Sequence, residues 1–264
     1  NRLPFMIKDM VNNKCLPLKE IDNTSILWED AKFDDPGVFE KKILDIMDNY
    51  GLIVNGDKRN CSIITPENGN DNQKSNYTGG KSHINSILQN KLFKEGFKRH
   101  NNTERIEFYG KVFYERDRVI RTKNDYSSSM KVNGDTGVIV DIQKDIENER
   151  IEIVYEDETT DGKKIIENVS IKKLNDEFDL CYGMTIHKKQ GDEDDNIVVI
   201  ISPYHYSWKP SSNNEIVFNL IYTAISRAKK RCILLGDKAT YENMYRDKNR
   251  KSSFYSSFLE IENE

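Results

Sequence analysis

The feature that most constrains the fold is the order in which strand-like and helix-like segments follow one another. The run CSIITP (61–66) is short, apolar and rich in β-branched residues, which is typical of a strand buried on both faces. Amphipathic helical patterns flank it, one after DDPG (34–37) and one over INSILQNKL (84–92). Two later apolar runs, NIVVIIS (196–202) and RCILLGD (231–237), continue the alternation. The pattern predicts an α/β fold, a parallel sheet with flanking helices.

The middle of the chain follows a different pattern. From about Glu104 to Leu174, apolar and polar residues alternate in short runs. Asn133-Gly134 and Asp161-Gly162 are turn dipeptides that favour tight hairpins. The sequence therefore predicts a small antiparallel β module inserted into the α/β domain. The predicted parts are residues 1–104 (α/β, first part), 105–174 (inserted β module) and 175–264 (α/β, second part).

Composition sets broad limits on the class of protein. The 40 Lys+Arg and 44 Asp+Glu give a net charge of -4, which argues neither for nor against nucleic acid, although bases outnumber acids from Arg227 to Lys251. The cysteines form no C-x-x-C pair and predict free thiols in a reducing compartment. No apolar run reaches membrane-spanning length and no signal peptide is present, so we expect a soluble, intracellular protein without a membrane partner. The start at Asn1 suggests a piece of a longer polypeptide.

The stretch GGKS (79–82) stands where a phosphate-binding P-loop would stand, between a strand and a helix. The P-loop pattern needs glycine at position 75, where the chain has Ser75, and the loop from Glu67 to Gly80 is longer than a P-loop. No apolar run ending in Asp-Glu follows. We therefore interpret GGKS as a glycine-rich loop at a helix N-terminus, whose backbone N–H groups can still receive a phosphate.

The segment MTIHKKQGDED (184–194) is dense in polar chemistry, and we expect it to be the end of a helix. Its side-chain donors are Thr185, His187 and Lys188, its glycine is Gly191 and its acceptor is Glu193. A glycine at this place lets another backbone or a phosphate come close. Two other interpretations remain open: a glycine-capped polar helix end with a solvated acidic loop, or a metal site in DEDD (192–195). The acids lack the spacing of a calcium loop, so we expect no metal.

The segment LIYTAISRAKKRCILLGD (220–237) is the second candidate for function. We expect Arg227 on a helix, directly before a buried strand, at the polar edge of an apolar stripe. The stripe consists of Leu220, Ile221, Ala224 and Ala228. An isolated arginine in such a place is ordinarily a surface ion-pair partner.

Together the two segments resemble motifs V and VI of superfamily 1 helicases of the RecD, TraI and Dda group, with a UvrD-type C-terminal half. The family signatures run roughly T-x-H-K-x-Q-G-x-E and Y-T-A-x-S-R-A. The matching positions are Thr185, His187, Lys188, Gln190, Gly191 and Glu193, then Tyr222, Thr223, Ala224, Ser226, Arg227 and Ala228. Upstream, ITPENG (64–69) with INSILQNKL (84–92), and DRVIRTKNDY with VNGDTGVI (117–139), also resemble family segments. The resemblance covers about residues 61–237.

The resemblance implies a fold and a function. The fold would be a RecA-like second motor domain carrying an inserted SH3-like β-barrel. The chain would belong to an ATP-dependent helicase that translocates on single-stranded nucleic acid, DNA rather than RNA, in the 5'-to-3' direction, and unwinds duplexes.

The implied site residues fall into two groups. Arg227 would be the catalytic arginine finger, and Gly191 and Glu193 would lie with it at the nucleotide. The residues implied at the nucleic acid are Thr65, Pro66, Asn85, Thr185, His187 and Lys188.

The chain departs from the family pattern in one respect. Walker A and Walker B motifs and a motif IV arginine are not recognisable in it, so ATP and Mg would be held mainly by an N-terminal RecA-like domain of the same polypeptide. The chain alone is then expected not to hydrolyse ATP. The alternative is a non-enzymatic module that binds nucleic acid or protein. Tyr204, Tyr206 and Trp208 of the loop 202–214 either stack on bases or belong to a merely variable loop.

Overall fold

The structure is a computed structural model. It describes residues 25–54, 59–69, 78–99, 105–125, 132–145, 148–158, 162–189, 192–206 and 222–241.

The first part of the described chain alternates strands and helices before a run of strands begins. Its elements are β1 (Ile26–Asp30), α1 (Pro36–Asn49), β2 (Cys61–Thr65), α2 (Lys81–Arg99), β3 (Arg105–Phe108), β4 (Lys111–Tyr114) and β5 (Arg118–Arg121). The next elements are β6 (Thr136–Asp145), β7 (Asn148–Glu158), β8 (Lys164–Val169), α3 (Ile171–Glu177), β9 (Phe178–Leu180) and β10 (Gly183–Thr185). A 3-10 helix (Ile186–Lys189), β11 (Asp194–Ile201), α4 (Pro203–Tyr206) and β12 (Ala228–Gly236) follow, and residues 222–225 and 238–241 are also helical.

Five strands form a parallel sheet in the order β1-β12-β11-β2-β10. Every residue of β2 is buried, as are the last five residues of both β11 and β12. Continuous apolar runs are what a strand covered on both faces requires. The predicted α/β fold with a parallel sheet is therefore confirmed.

The two faces of this sheet carry separate apolar clusters. On one face α1 and α2 pack against the strands through Phe39, Ile43, Ile46, Ile84, Ile87 and Leu88. On the other face the cover includes Ile120, Ala224, Ile225 and Tyr241. The DDPG sequence begins α1 as predicted, because the Asp35 carboxylate caps the helix by accepting from the N–H groups of Gly37 (2.9 Å) and Val38 (3.2 Å).

The middle of the chain forms a second, antiparallel sheet in the order β8-β7-β6-β5-β9. The hairpin of β3 and β4 packs beside it, contributing Ile106 and Phe113 to the same apolar core. The strand β9 lies beyond residue 174 in sequence but pairs with β5. An antiparallel unit thus interrupts the strands of the parallel sheet, between α2 and β10.

Four local expectations need correction. β1 was not predicted, because only its first two residues are fully buried. The segment at 184–194 is not a helix end: Met184 and Thr185 belong to β10, whose three residues are too few to show a periodicity, and only a 3-10 turn follows. Ala228 begins β12 instead of continuing a helix. Asn133-Gly134 forms a turn, but it ends the long connection from β5 to β6.

Two findings concern the expected environment of the chain. Cys61, Cys181 and Cys232 are free and buried, as expected of structural thiols, and Cys15 lies outside the described residues. Among the helices that the structure describes, none is long and apolar enough to cross a membrane.

Candidate nucleic-acid and nucleotide interface

Two threonines that sequence reasoning selected lie side by side at the carboxyl edge of the parallel sheet. β2 and β10 pair so that Thr65 is opposite Thr185, each the last residue of its strand. Ligands of open α/β sheets bind at this edge. Thr65 is fully buried, and among the described residues its Oγ1 has no hydrogen-bond partner, which is costly unless a partner arrives. Pro66 follows directly and is half-buried.

Asn85 has a different neighbourhood from the one expected of a nucleic-acid contact. It is buried, its Oδ1 accepts from the Gly183 N–H (2.8 Å), and its Nδ2 donates to the Leu180 carbonyl (3.1 Å). The side chain of Ile84 also presses on Gly183, where an added Cβ would lie 2.5 Å from Ile84 Cγ2. The side chain of Asn85 therefore positions the chain that enters β10.

The backbone N–H groups of Lys81 and Ser82 in the GGKS loop are hydrogen-bonded within the protein. The Lys81 N–H donates to the Glu67 carbonyl (3.0 Å) and the Ser82 N–H to the Asn68 carbonyl (2.9 Å). A Cβ on Gly80 would lie 2.6 Å from the Cα of Gly69, so glycine is needed for this close approach. The backbone donors of Lys81 and Ser82 are thus already engaged.

His187 and Lys188 lie on the 3-10 helix and face a cleft of about 640 Å³. The opposite wall comes from the antiparallel sheet. The other lining residues are Arg59, Ile120, Asn133, Gly134, Asp135, Thr136, Glu156, Met184 and Asp192. His187 is exposed and Lys188 is half-buried. This cleft is open to a polar ligand that touches both sheets.

Lysines gather on one side of the 3-10 helix. Burial and the positive charge of Lys81 lower the pKa of Lys188. Lys81 Nζ lies 3.1 Å from one carboxylate oxygen of Asp179, and Lys111 Nζ lies 3.0 Å from the other. Two ammonium groups thus pair with one carboxylate, and the Lys188 ammonium is close enough to feel the charges of Lys81 and Asp179, so positive charge is in excess here.

A buried ion network, which sequence reasoning missed, begins at Asp194. Its carboxylate contacts Lys189 Nζ (2.6 Å) and Arg59 Nη1 (2.8 Å), and it accepts from Ser62 Oγ. Lys189 is fully buried and also pairs with Asp192. Burial opposes ionisation of Asp194, but the charges of Lys189 and Arg59 and the hydrogen bonds from Lys189 and Ser62 together outweigh it and hold the pKa of that carboxyl below its usual range.

The network continues into the antiparallel sheet through Arg59. Arg59 Nη2 donates to Glu156 Oε2 (3.0 Å), and Glu156 also accepts from Arg118 Nε (2.6 Å) and Thr136 Oγ1 (2.8 Å). Arg118 in turn donates to the Cys181 carbonyl (2.8 Å). Arg118, next to the β-branched pair Val119 and Ile120, was the one sequence feature that could have indicated a buried ion pair. The two sheets are therefore joined by charges.

Arg227 lies in the turn between the helical residues 222–225 and β12. Its Nη2 donates to Ser226 Oγ (3.0 Å) and its Nε to the Thr223 carbonyl (3.3 Å). In the part of the chain that the structure describes, no carboxylate forms an ion pair with it. The half-buried guanidinium thus keeps donors for an anionic ligand.

Asp194 also connects Arg227 to the segment of His187 and Lys188. The Asp194 N–H donates to the Arg227 carbonyl (3.1 Å), while its side chain holds Lys189. Glu193, the neighbouring residue, is exposed, and its N–H donates to Asp192 Oδ1 (2.8 Å). Gly191 lies outside the described residues.

The aromatic loop is described only at its start. Tyr204 packs against the apolar cluster under α1 and its hydroxyl donates to the Phe33 carbonyl (3.4 Å). The side chain of Tyr206 and the whole of Trp208 lie outside the described residues.

Comparison with known proteins identifies the class. Residues 180–235, which contain β10, Asp194 and Arg227, match the UvrD-like helicase C-terminal domain. The match is confined to this segment of the chain, and it confirms the resemblance to superfamily 1 helicases.

Two curated relatives fit the same class. The chain is 29% identical over 126 residues to RecBCD enzyme subunit RecD of Mycolicibacterium smegmatis, covering 46% of this chain and 18% of the relative. It is 27% identical over 126 residues to the ATP-dependent RecD2 DNA helicase of Deinococcus radiodurans, covering 48% of this chain and 15% of the relative. The chain thus spans less than a fifth of the length of either relative.

Solved helicase structures are also similar. Pif1 helicase from Bacteroides, in complex with ADP-AlF3 and ssDNA, shows 15% identity and a TM-score of 0.44, covering 94% of this chain and 54% of that chain. Pif1 helicase from Candida albicans shows 12% identity and a TM-score of 0.39, covering 97% and 57%.

Proposed function

We propose that this chain is the second motor domain of an ATP-dependent superfamily 1 helicase that moves 5'-to-3' along single-stranded DNA and unwinds duplexes. The α/β part, residues 1–104 and 175–264, is then a RecA-like domain, and residues 105–174 are an SH3-like β-barrel inserted in it. Antiparallel pairing throughout the order β8-β7-β6-β5-β9 supports the insertion. The curated relatives described as a RecBCD subunit and a DNA helicase favour DNA over RNA.

The observation that carries this proposal is the position of Asp194 between the two candidate ligand sites. Its backbone binds the Arg227 carbonyl, and its carboxylate binds Lys189, which directly follows His187 and Lys188. A motor must transmit changes at a nucleotide to changes at a strand. One residue that touches both segments supplies a physical connection.

Arg227 fits a phosphate. Its guanidinium is half-buried and holds only neutral oxygen acceptors of Thr223 and Ser226 among the described residues. A planar guanidinium binds two phosphate oxygens at once, and it stabilises the charge that develops when a γ-phosphoryl group is transferred. In this proposal Arg227 is the arginine finger, with Gly191 and Glu193 at the edge of the nucleotide.

The strand would follow the carboxyl edge of the sheet. Thr185, His187 and Lys188 contact its backbone, and Thr65 and Pro66 extend the contact along β2. Asn85 acts indirectly, by holding Gly183 at the entrance to β10. Mg and most ATP contacts come from an N-terminal RecA-like domain, so the chain alone binds strands weakly and does not turn over ATP.

The test compares Arg227→Ala and Arg227→Lys in the full-length enzyme. Both should reduce ATP turnover, by on the order of 10³ for alanine, because lysine cannot reproduce the planar fork. Affinity for a single-stranded oligonucleotide should stay close to the parent value.

Lys230→Ala is the matched control. Lys230 is an exposed base three residues away, paired with Asp195 (2.6 Å), and its removal should leave turnover unchanged. Melting temperatures check that each variant folds. Parent-level turnover by Arg227→Ala, with any loss confined to binding or stability, would favour the non-enzymatic binding module instead.

A further inference from the structure

The turn between β3 and β4 holds a tyrosine in an unfavourable place. Tyr109 has φ +46° and is followed by Gly110 with φ +78°. Two consecutive residues with positive φ are typical of a tight hairpin turn in which asparagine or glycine is preferred at the first position. A bulky residue there is uncommon and strained.

Within the described part of the chain, neither core packing nor a hydrogen bond accounts for this tyrosine. Its side chain is 87% exposed, and its described contact is an edge-on approach to the ring of Phe108, with centroids 4.5 Å apart. A large aromatic ring held in water at a strained position contributes nothing to the core. Such an exposed ring is free to stack on the ring of a ligand.

The β3–β4 hairpin that carries Tyr109 is fixed to the antiparallel sheet by buried side chains and by hydrogen bonds of Lys111. Ile106 and Phe113 are buried in the core of the antiparallel sheet. Lys111, two residues after Tyr109, donates to the carbonyls of Asn175 (2.9 Å) and Phe178 (3.1 Å) as well as to Asp179. All three ammonium donors of Lys111 are therefore used to fix the base of the turn.

This attachment connects the turn that carries the tyrosine, through Lys111 and Asp179, to Lys81. Asp179 binds Lys111 through one oxygen and Lys81 through the other. Lys81 Nζ donates one hydrogen bond to Asp179, and the positive charge of Lys81 helps to lower the pKa of Lys188. The cationic groups thus continue from Lys188, in the proposed strand path, towards the tip of the hairpin.

We propose that Lys81 and Tyr109 extend the strand-binding surface: Lys81 binds a backbone phosphate and Tyr109 stacks on a base of the same single-stranded polynucleotide. This inference rests on the proposed function, because it prolongs the path through Thr185, His187 and Lys188. An exposed ring next to cationic groups is the combination that binds single strands, since every base has a face that can stack and every nucleotide has a phosphate.

The stacking test uses the 264-residue chain with two fluorescent probes, an oligodeoxythymidine and an abasic strand of equal length. Tyr109→Ala should weaken binding of the thymidine probe roughly five- to hundredfold and leave binding of the abasic probe unchanged. Tyr109→Phe should bind both probes like the parent.

Tyr109→Asn separates function from folding. Asparagine suits the left-handed turn, so this variant should melt no lower than the parent while losing the same affinity for the thymidine probe. Ile166→Ala is the matched control, since Ile166 is an exposed apolar residue on β8, at the opposite end of the antiparallel sheet from β9. It should change neither affinity.

Lys81→Gln tests the phosphate contact. It should weaken binding of both probes and reduce the slope of log affinity against log salt by about 0.7. The double variant Thr185→Ala with His187→Ala tests the path on which the inference rests. If that double variant loses affinity while the Tyr109 and Lys81 variants bind like the parent, Lys81 and Tyr109 do not contact the strand, but the proposed strand path through Thr185, His187 and Lys188 is supported.

If the double variant also binds like the parent, or the chain binds neither probe, the proposed strand path is wrong, and so is its extension to Lys81 and Tyr109.

Discussion

Replacing Asp117 by asparagine should remove one identifiable component of the pH dependence of stability. Asp117 is 3% exposed and accepts from the Tyr182 hydroxyl (2.5 Å), Gln89 Nε2 (2.6 Å) and the Tyr114 N–H (2.8 Å). Burial raises the pKa of this carboxyl to about 6, and the hydrogen bonds only partly oppose the shift. No cation is among these partners, so the charged form stays unfavourable in the folded protein.

The sign and size of the effect follow from linkage. The pKa rises from 3.8 in the unfolded chain to about 6 in the folded one. The contribution of Asp117 to stability is therefore fully present below pH 3.8 and is lost as the pH rises through about 6. The difference between these two pKa values corresponds to a loss of stability on the order of 3 kcal/mol.

Other acids act in the opposite direction, so the parent protein alone cannot reveal the effect. The pKa values of Glu156, Glu167 and Asp194 are lowered because ion pairs and hydrogen bonds outweigh burial. Their stabilising contributions are lost as the pH falls. The difference between the parent and Asp117→Asn cancels these shared terms and isolates the titration of Asp117.

The assay is urea unfolding of both proteins at several pH values between about 4 and 7.5. Asparagine keeps the shape but presents an amide to donor groups, which costs stability by the same amount at every pH. The free energy of unfolding of the parent minus that of the variant should therefore decrease by about 2 to 2.5 kcal/mol across this range, because Asp117 of the unfolded chain is already more than half ionised at pH 4. Asp176→Asn, at an exposed carboxylate, is the control. A difference that stays constant with pH would refute a raised pKa at Asp117.

Two further stability predictions follow from close contacts. Gly183→Ala should cost about 1–3 kcal/mol in urea unfolding, because the new Cβ would lie 2.5 Å from Ile84 Cγ2, whereas Ser86→Ala at an exposed site of α2 should change little. Arg121→Met should cost about 3–5 kcal/mol, because fully buried Arg121 pairs with Glu167 and Glu177 (2.5 Å each), and Arg150→Met, at a half-exposed pair, should cost under about 1 kcal/mol in the same assay.

The parts of the fold that the sequence predicts are those with local causes. The capping of α1 by Asp35 needs only the residues next to it, and the burial of β2 is visible as five consecutive apolar or small residues. β10 shows the opposite case. Its three residues become a strand only because β2 lies beside them in parallel register, and nothing within Gly183–Thr185 encodes that neighbour.

The candidate site divides in the same way. Thr185, His187, Lys188 and Arg227 could be selected because each stands in a recognisable local pattern. The partners that place them could not, because they come from distant parts of the chain: Arg59 meets Asp194 across 135 residues. Lys81 stands in the local pattern GGKS, which indicates a glycine-rich loop at a helix N-terminus, but its side chain pairs with Asp179, 98 residues away. Tertiary contacts of this kind leave no periodicity in the sequence.

The network around Asp194 has a consequence for how the proposed motor domain works. A carboxylate that is 8% exposed needs its cationic partners, because removing one of the two leaves the buried charge only partly compensated. Lys189 and Arg59 therefore cannot move away from Asp194 independently, and Asp194 holds the Arg227 carbonyl through its own N–H. Arg59 also binds Glu156 at the cleft wall, on the antiparallel sheet. A ligand that shifts the cleft wall must either break this network or carry Asp194, and with it the backbone of Arg227, in the same displacement.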